Sequence, residues 1–215
     1  MENQAPPSLL ETLPQELLTD ILARVAESSV RDLAPCLLVA PIITSAVNDD
    51  HVIKNLNLRR QARNPLRTFF RYQKLMKKSL KSDHPAAHYV EGIKQFFIYD
   101  NRHKGLLHLK KASEGSYDNA TYLYGILKLC MGRIEEGKAV LATLGWETDK
   151  RRTNEAWNEV KKSMRVVFVI KKPEYLASLR NNQPPLSCHK NDKDNICASC
   201  FHYKMMRKFI GFVSQ

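Results

Sequence analysis

The sequence predicts an all-α protein, with an N-terminal helical hairpin, an α-solenoid-like stack of helix pairs, and a short tail holding cysteine and histidine. Three observations carry that prediction. Apolar residues recur at helical spacing from Leu13 to Val39. A second amphipathic stretch, Arg59 to Lys81, contains no acid. An Ala-x-Tyr-x-x-Gly pattern then occurs twice, at Ala87 and Ala120, 33 residues apart. Self-similarity near that period is what stacked helix pairs produce. The chain accordingly divides into a flexible lead (1–12), a hairpin module (13–58), a basic linking helix (59–82), helical repeats with a capping helix (83–180) and a tail (181–215).

In the hairpin, Leu13, Leu17, Ile21, Leu22 and Val25 fall on one helical stripe. Pro14 sits where the first turn needs no N–H donor, so it starts the helix. Val30, Leu33, Leu37 and Leu38, with Cys36 and Val39 beside them, supply the second apolar set. A helix pair this short has too little core to stand alone, so the rest of the chain, a partner, or both must cover it. Pro41 ends or kinks the second helix, and 51–58 reads as a short helix packed alongside.

Charge separates this module from the rest of the chain. Residues 1–50 carry eight acids against two bases, whereas 51–149 and 150–215 are each +9, within a total of +12. No apolar run approaches the roughly 18 residues of a membrane helix, so no membrane partner is expected. The N-terminus lacks a basic region ahead of an apolar core and does not read as a secretory signal. Five cysteines in such a chain point to reduced thiols or metal ligands, and to a cytoplasmic or nuclear setting.

Arg59, Arg60, Arg63, Arg67, Arg71, Lys74 and Lys78 form the basic side of the linking helix. Leu66, Phe69, Phe70, Met76 and Leu80 trace its apolar side, broken once by Gln73. Such a face suits a polyanion or an acidic protein target. The alternative is a solvated face on a bridging helix. No nucleic-acid-binding motif accompanies it, so nucleic acid is the lesser reading.

The repeat proper pairs the Ala-x-Tyr-x-x-Gly helix with a second string. Gly105-Leu106-Leu107-His108-Leu109 begins thirteen residues past Gly92, and its counterpart begins at Gly137, displaced by 32. Glycine there permits close approach or a helix-ending turn. Cys130 reads as a small buried hydrophobe. A further helix opens at Thr153 as its cap, with an apolar face of Ala156, Trp157, Val160, Met164, Val167 and Phe168. Trp157 should pack on the last repeat.

The tail places Cys188, His189, Cys197, Cys200 and His202 within fifteen residues. Three thiolates and one imidazole match a closed tetrahedral zinc site, with Cys188, Cys197, Cys200 and His202 as the candidate ligands. Reduced cysteines beside a terminal helix are the other reading. A redox C-x-x-C is disfavoured because no βαβ pattern surrounds it.

The first of these segments resembles an F-box, through Leu13, Pro14, Glu16, Leu17, Ile21, Leu22, Val25, Leu33, Cys36 and Val39. Ala26 stands where that motif often has proline, and its close reads Leu38-Val39-Ala40-Pro41-Ile42. The repeat resembles a Sel-like repeat, a relative of the tetratricopeptide class. The tail is similar to that of plant F-box proteins with a Sel-like middle, through Cys188, Cys197, Cys200, Phe201, Tyr203 and Phe209. Taken together, the resemblance implies docking onto a Skp-type adaptor, and through it a cullin-RING ubiquitin ligase, with Leu13, Pro14, Leu17, Ile21, Leu22, Val25, Leu33, Cys36 and Val39 at the adaptor. The repeats would hold a protein target. A hairpin that has lost its adaptor is the remaining variant of this reading.

Catalytic motifs are missing from the sequence: no Gly-rich phosphate loop, G-x-S-x-G or H-E-x-x-H occurs. The seven histidines are scattered, and no acid pair completes a metal triad. The expectation is a non-enzyme with no cofactor beyond a structural zinc.

Overall fold

In this computed structural model, residues 8–167, 169, 172–189 and 197–214 are described. Most of the expected flexible lead, Phe168 of the capping-helix face, and residues 190–196 of the polar insert before Cys197 lie outside the described residues. Every regular element among the described residues is helical.

α1 (Gln15–Ser28) starts just behind Pro14, whose carbonyl accepts the Leu18 N–H at 3.0 Å. Its inward face is Leu18, Thr19, Leu22, Ala23 and Ala26. The expected second hairpin helix shrinks to α2 (Leu33–Cys36), because Pro35 and Pro41 leave little uninterrupted backbone. Pro41 then occupies the first turn of α3 (Pro41–Val47): the helical turn that the sequence allows over 42–47 forms, and Pro41 starts it, α2 having already ended at Cys36. Asp49 caps α4 (Asp50–Lys54) by accepting the His51 N–H at 2.8 Å. Asn57 closes the module, donating from its backbone to Ala26 O at 2.9 Å and from its side chain to Glu27 O at 3.1 Å.

The single basic helix expected over 59–82 is three helices: α5 (Arg59–Arg63), α6 (Pro65–Arg71) and α7 (Gln73–Lys81). Pro65 forces Asn64 out of the helical region, to φ −137° and ψ 77°. The Asn64 carboxamide then caps α6 on Arg67 N–H at 3.0 Å. A second break falls at Tyr72.

α8 (Pro85–Ile93) runs directly into a π-helix (Lys94–Ile98) and pairs with α9 (Arg102–Glu114). α10 (Asp118–Cys130) pairs with α11 (Ile134–Ala142). The two pairs are built alike. An added Cβ on Gly92 would lie 2.7 Å from Leu109 Cγ, and one on Gly125 would lie 2.6 Å from Leu141 Cγ. Left-handed residues end corresponding helices: Asp83 and Ser116, then Asp100 and Gly132. After three of these, the next N–H reaches back to a carbonyl in the last turn, from His84 to Ser79, Tyr117 to Ala112 and Arg133 to Lys128, each at 2.9–3.1 Å. After Asp100 the reach is one residue longer, from Asn101 to Gln95 O at 2.7 Å. That extra residue is the one the π-helix absorbs. It explains why the repeat offset is 33 at the first helix of each pair and 32 at the second.

α12 (Lys150–Met164) starts earlier than expected. Asp149 caps it on Arg151 N–H at 2.8 Å, and Thr153 is a buried interior residue. Trp157 stacks on Tyr122 with ring centroids 5.5 Å apart, so this helix covers α10. α13 (Pro173–Asn181) and α14 (Ala198–Phe212) also pack on α10, and Phe212 of α14 meets Trp157 edge-on at 5.5 Å. Phe201 of α14 lies flat on Trp146 at 3.7 Å, and Phe209 and Ile210 are buried. None of these helices is long and apolar enough to cross a membrane, among the described residues.

Candidate functional site

The residues expected at the N-terminal surface divide into two layers. Leu22 and Leu33 belong to the chain's own core, at 5% and 4% exposure. Leu13, Val25 and Cys36 are half-buried, and Pro14 is exposed. Leu17 and Ile21 point outward at 53% and 42%, one helical turn apart on α1. Exposed Leu37, Leu38 and Val39 follow α2, and Ile42 opens α3. Thr44 ties that turn down by donating its hydroxyl to Leu37 O at 3.1 Å. Beneath this surface, Leu18, Ala23, Ala26, Ile43, Val47 and Val52 form a closed interior. The module therefore buries what it needs for folding and still presents large aliphatic side chains to solvent.

The basic segment does not present one continuous face. Arg63 binds Glu159 of α12 through two N–H donors, both at 2.7 Å, and Arg59 joins it at 3.0 Å. Lys162 reaches the same carboxylate at 3.0 Å. These donors, Arg63 above all, hold the Glu159 carboxyl far below the usual carboxylate range. Lys78 donates to the Asn48 side chain. Arg60, Arg67, Arg71 and Lys74 remain exposed with no acidic partner among the described residues. Phe70, at 68%, stands exposed among them. A cavity of about 400 Å³ opens between α6, α7 and α8, lined by Phe69, Met76, Val90, Glu91, Lys94 and His108.

Three histidines, His84, His88 and His108, have structural positions. His84 caps α8 through Nδ1, which accepts the Ala86 N–H at 3.1 Å, so its Nε2 carries the proton given to Leu56 O at 2.8 Å. That ring joins the N-terminal module to the repeats, and burial pushes its pKa down. His88 is buried between Asp83 at 3.0 Å and His108 at 2.8 Å. Burial first, and then His88, lowers the pKa of His108. Cys130 is fully buried, and burial alone raises its thiol pKa, so it offers no nucleophile.

At the tail, Cys188, His189 and Cys197 bring three potential ligand atoms within 4.8 Å of one another. Cys188 Sγ and Cys197 Sγ are 3.2 Å apart, and Cys200 Sγ lies 3.6 Å from Cys197 Sγ. The Cys188 and His189 side chains lower the Cys197 thiol pKa to about 6. His202, the imidazole expected with these thiols, sits elsewhere. Two residues beyond Cys200 on the same helix, it is turned roughly 200° around the axis. Its ring meets Trp146 edge-on at 5.9 Å, and burial lowers its pKa to about 4. The sequence places both histidines near the thiols, but only the helix phase separates them. Glu159 escapes sequence reasoning altogether, since nothing local marks a carboxylate whose partners lie 96 and 100 residues earlier.

The family described as plant tetratrico peptide repeats matches residues 62–167. The F-box protein At2g35280 of Arabidopsis thaliana is 38% identical over 144 residues, which is 67% of this chain and 88% of that protein. The putative F-box protein At1g67623 of the same plant is 25% identical over 123 residues, 57% of this chain and 41% of its own length. No solved structure gives a significant match.

Proposed function

Because this chain belongs to the plant F-box proteins that carry tetratricopeptide-like helical repeats, we propose that it is the non-catalytic substrate-receptor subunit of a cullin-RING ubiquitin ligase of the Skp-adaptor type. The observation that carries this reading is the two-layered N-terminal module. Leu17, Ile21 and the 37–39 turn stand outside a core that is already closed without them. Exposed aliphatic side chains on a satisfied module mark a protein-docking surface. Leu22 and Leu33 act here as the floor that holds the outer residues in place.

The repeats then act as a scaffold in the cytoplasm or nucleus. A protein target with acidic and apolar character meets Arg67, Arg71, Lys74 and Phe70, which α6 and α7 leave exposed. Rate enhancement comes from raised effective concentration and orientation of the target, with the bond-forming chemistry done by other subunits.

Leu17→Asp combined with Ile21→Asp tests the proposal. Both positions are solvent-exposed, so the variant should keep its far-ultraviolet circular dichroism and melting temperature. Two lost anchors of about 2 kcal/mol each weaken adaptor binding by about a thousandfold. Adaptor co-purification at wild-type yield would refute the docking surface.

A further inference from the structure

The geometry points to a structural zinc site formed by Cys188, His189, Cys197 and Cys200, which fastens the start of α14 to the loop after α13. Zinc–thiolate bonds of about 2.3 Å in a tetrahedron set sulfur atoms roughly 3.8 Å apart. The Cys197–Cys200 separation of 3.6 Å is close to that spacing, and the Cys188–Cys197 separation of 3.2 Å needs only a small opening. His189 contributes a ring nitrogen within 4.8 Å of both Cys188 and Cys197. The Cys197 backbone N–H also points at Cys200 Sγ, at 3.4 Å. An N–H directed at a ligand sulfur is the outer support that metal-binding thiolates commonly receive. Three thiolates and one imidazole are a donor set for zinc in a closed, non-catalytic site.

The position of the cluster says what the ion would do. Cys197 is the N-cap of α14 and Cys200 lies in its first turn. Cys188 and His189 belong to the opposite side, on the chain leaving α13. A bound ion closes this loop and sets the phase of α14, so that Phe201 meets Trp146, and Phe209 and Ile210 enter the core. Stacked repeats need a terminal cap that covers the last apolar face. The cap here is a helix held at one end by metal, and the binding free energy becomes folding free energy of that end.

The full chain should be purified without chelator or added oxidant and its zinc measured by elemental mass spectrometry. One zinc per chain is expected. On reloading with cobalt(II), the thiolate-to-metal charge-transfer absorption of a tetrahedral site should appear. Cys200 is buried, so its replacement risks unfolding the helix. The decisive variants are therefore Cys188→Ala and His189→Ala, at the loop. Cys188→Ala should lose stoichiometric zinc. His189→Ala should weaken it by more than the about 10–100-fold that loss of a supporting group costs. His202→Ala should leave both zinc content and cobalt absorption unchanged. Chelator should lower the melting temperature of the wild type and not that of Cys188→Ala. Metal-free protein with three titratable tail thiols, a Cys188–Cys197 disulfide, or zinc lost in His202→Ala would each overturn the assignment. None of these readouts depends on adaptor binding.

Discussion

The clearest quantitative test of the repeat packing is one substitution, Gly→Ala, made at two positions where it should have opposite signs. At Gly105 the helices of the first pair touch backbone to backbone. An added Cβ would lie 2.5 Å from Phe96 Cβ and 2.8 Å from both Phe96 Cα and N. Unstrained carbon contacts begin at about 3.5 Å, so α9 and the π-helix must separate by roughly 1 Å. No rotamer change relieves this, because the obstacle is main chain and the Cβ fixed to it. Overpacking of this kind costs about 1–3 kcal/mol, and the immovable backbone puts it at the upper end. Against that, alanine gains about 0.5–1 kcal/mol over glycine within a helix. The net for Gly105→Ala is a loss of about 2 kcal/mol, or roughly 4–8 °C in melting temperature for a chain of this size.

Gly211 is the control. It lies in α14, exposed, with nothing within 4 Å of an added Cβ. Gly211→Ala should therefore raise stability by up to about 1 kcal/mol, reduced by its place in the last turn. Gly92→Ala falls between, because its nearest obstacle is the Leu109 side chain at 2.7 Å, which can yield. Urea melts followed by circular dichroism give all three values. Gly105→Ala at or above wild-type stability would show that the close contact between α9 and the π-helix is not what fixes this pair.

Other outcomes rest on the polar contacts and on the helix register. Glu159→Gln should weaken the hold of Arg59, Arg63 and Lys162 and cost about 1.5–3 kcal/mol in a urea melt. Glu159 has a depressed folded pKa, so its stabilisation is complete above the ordinary value of 4.5 and is lost as pH falls below it; Glu159→Gln should flatten that acid limb. His84 also has a lowered pKa, but as a base it must remain neutral. Stability should thus decline as pH drops below 6.5, and His84→Ala, though less stable at pH 7, should show a shallower decline between pH 7 and 5. Deleting Ile98 should convert the π-helix to α-helix and cost about 1 kcal/mol or less, since the second pair already has the shorter spacing; deleting Ile126 from α10 should unfold the chain, as judged by loss of the cooperative melt.

The parts of this fold that are legible in the sequence are those specified by local spacing. The Ala-x-Tyr-x-x-Gly repetition and the leucines of α9 and α11 mark both helix pairs, because each pair repeats the same short-range solution to the same contact. What the sequence hides is phase and competition. The Arg59–Lys81 stretch looks like one amphipathic helix by periodicity, yet Asn64-Pro65 decides otherwise through a local steric clash. Thr153 looks like a cap, but Asp149, four residues earlier, takes the role and carries Thr153 into the helix interior.

The N-terminal surface shows a deeper limit of the same kind. Leu17, Leu18, Ile21 and Leu22 are chemically almost interchangeable, and a hydrophobic stripe drawn through 13, 17, 21, 22 and 25 follows helical spacing well. A helix serving both its own core and a partner needs two adjacent stripes, and the pattern alone does not say which faces inward. The decision rests on contacts the stripe does not show: Asn57, far along the chain, binds the end of α1, and the small Ala23 and Ala26 within α1 let the neighbouring helices close against one side of it. That leaves Leu18 at 1% exposure and Leu17, its immediate neighbour, at 53%. Leu17 and Leu18 should therefore respond differently to Asp, since a charge at 18 must be desolvated in the core while a charge at 17 remains in water. An effect of Leu17→Asp on binding without a matching effect on folding is the signature that separates a docking residue from a core residue.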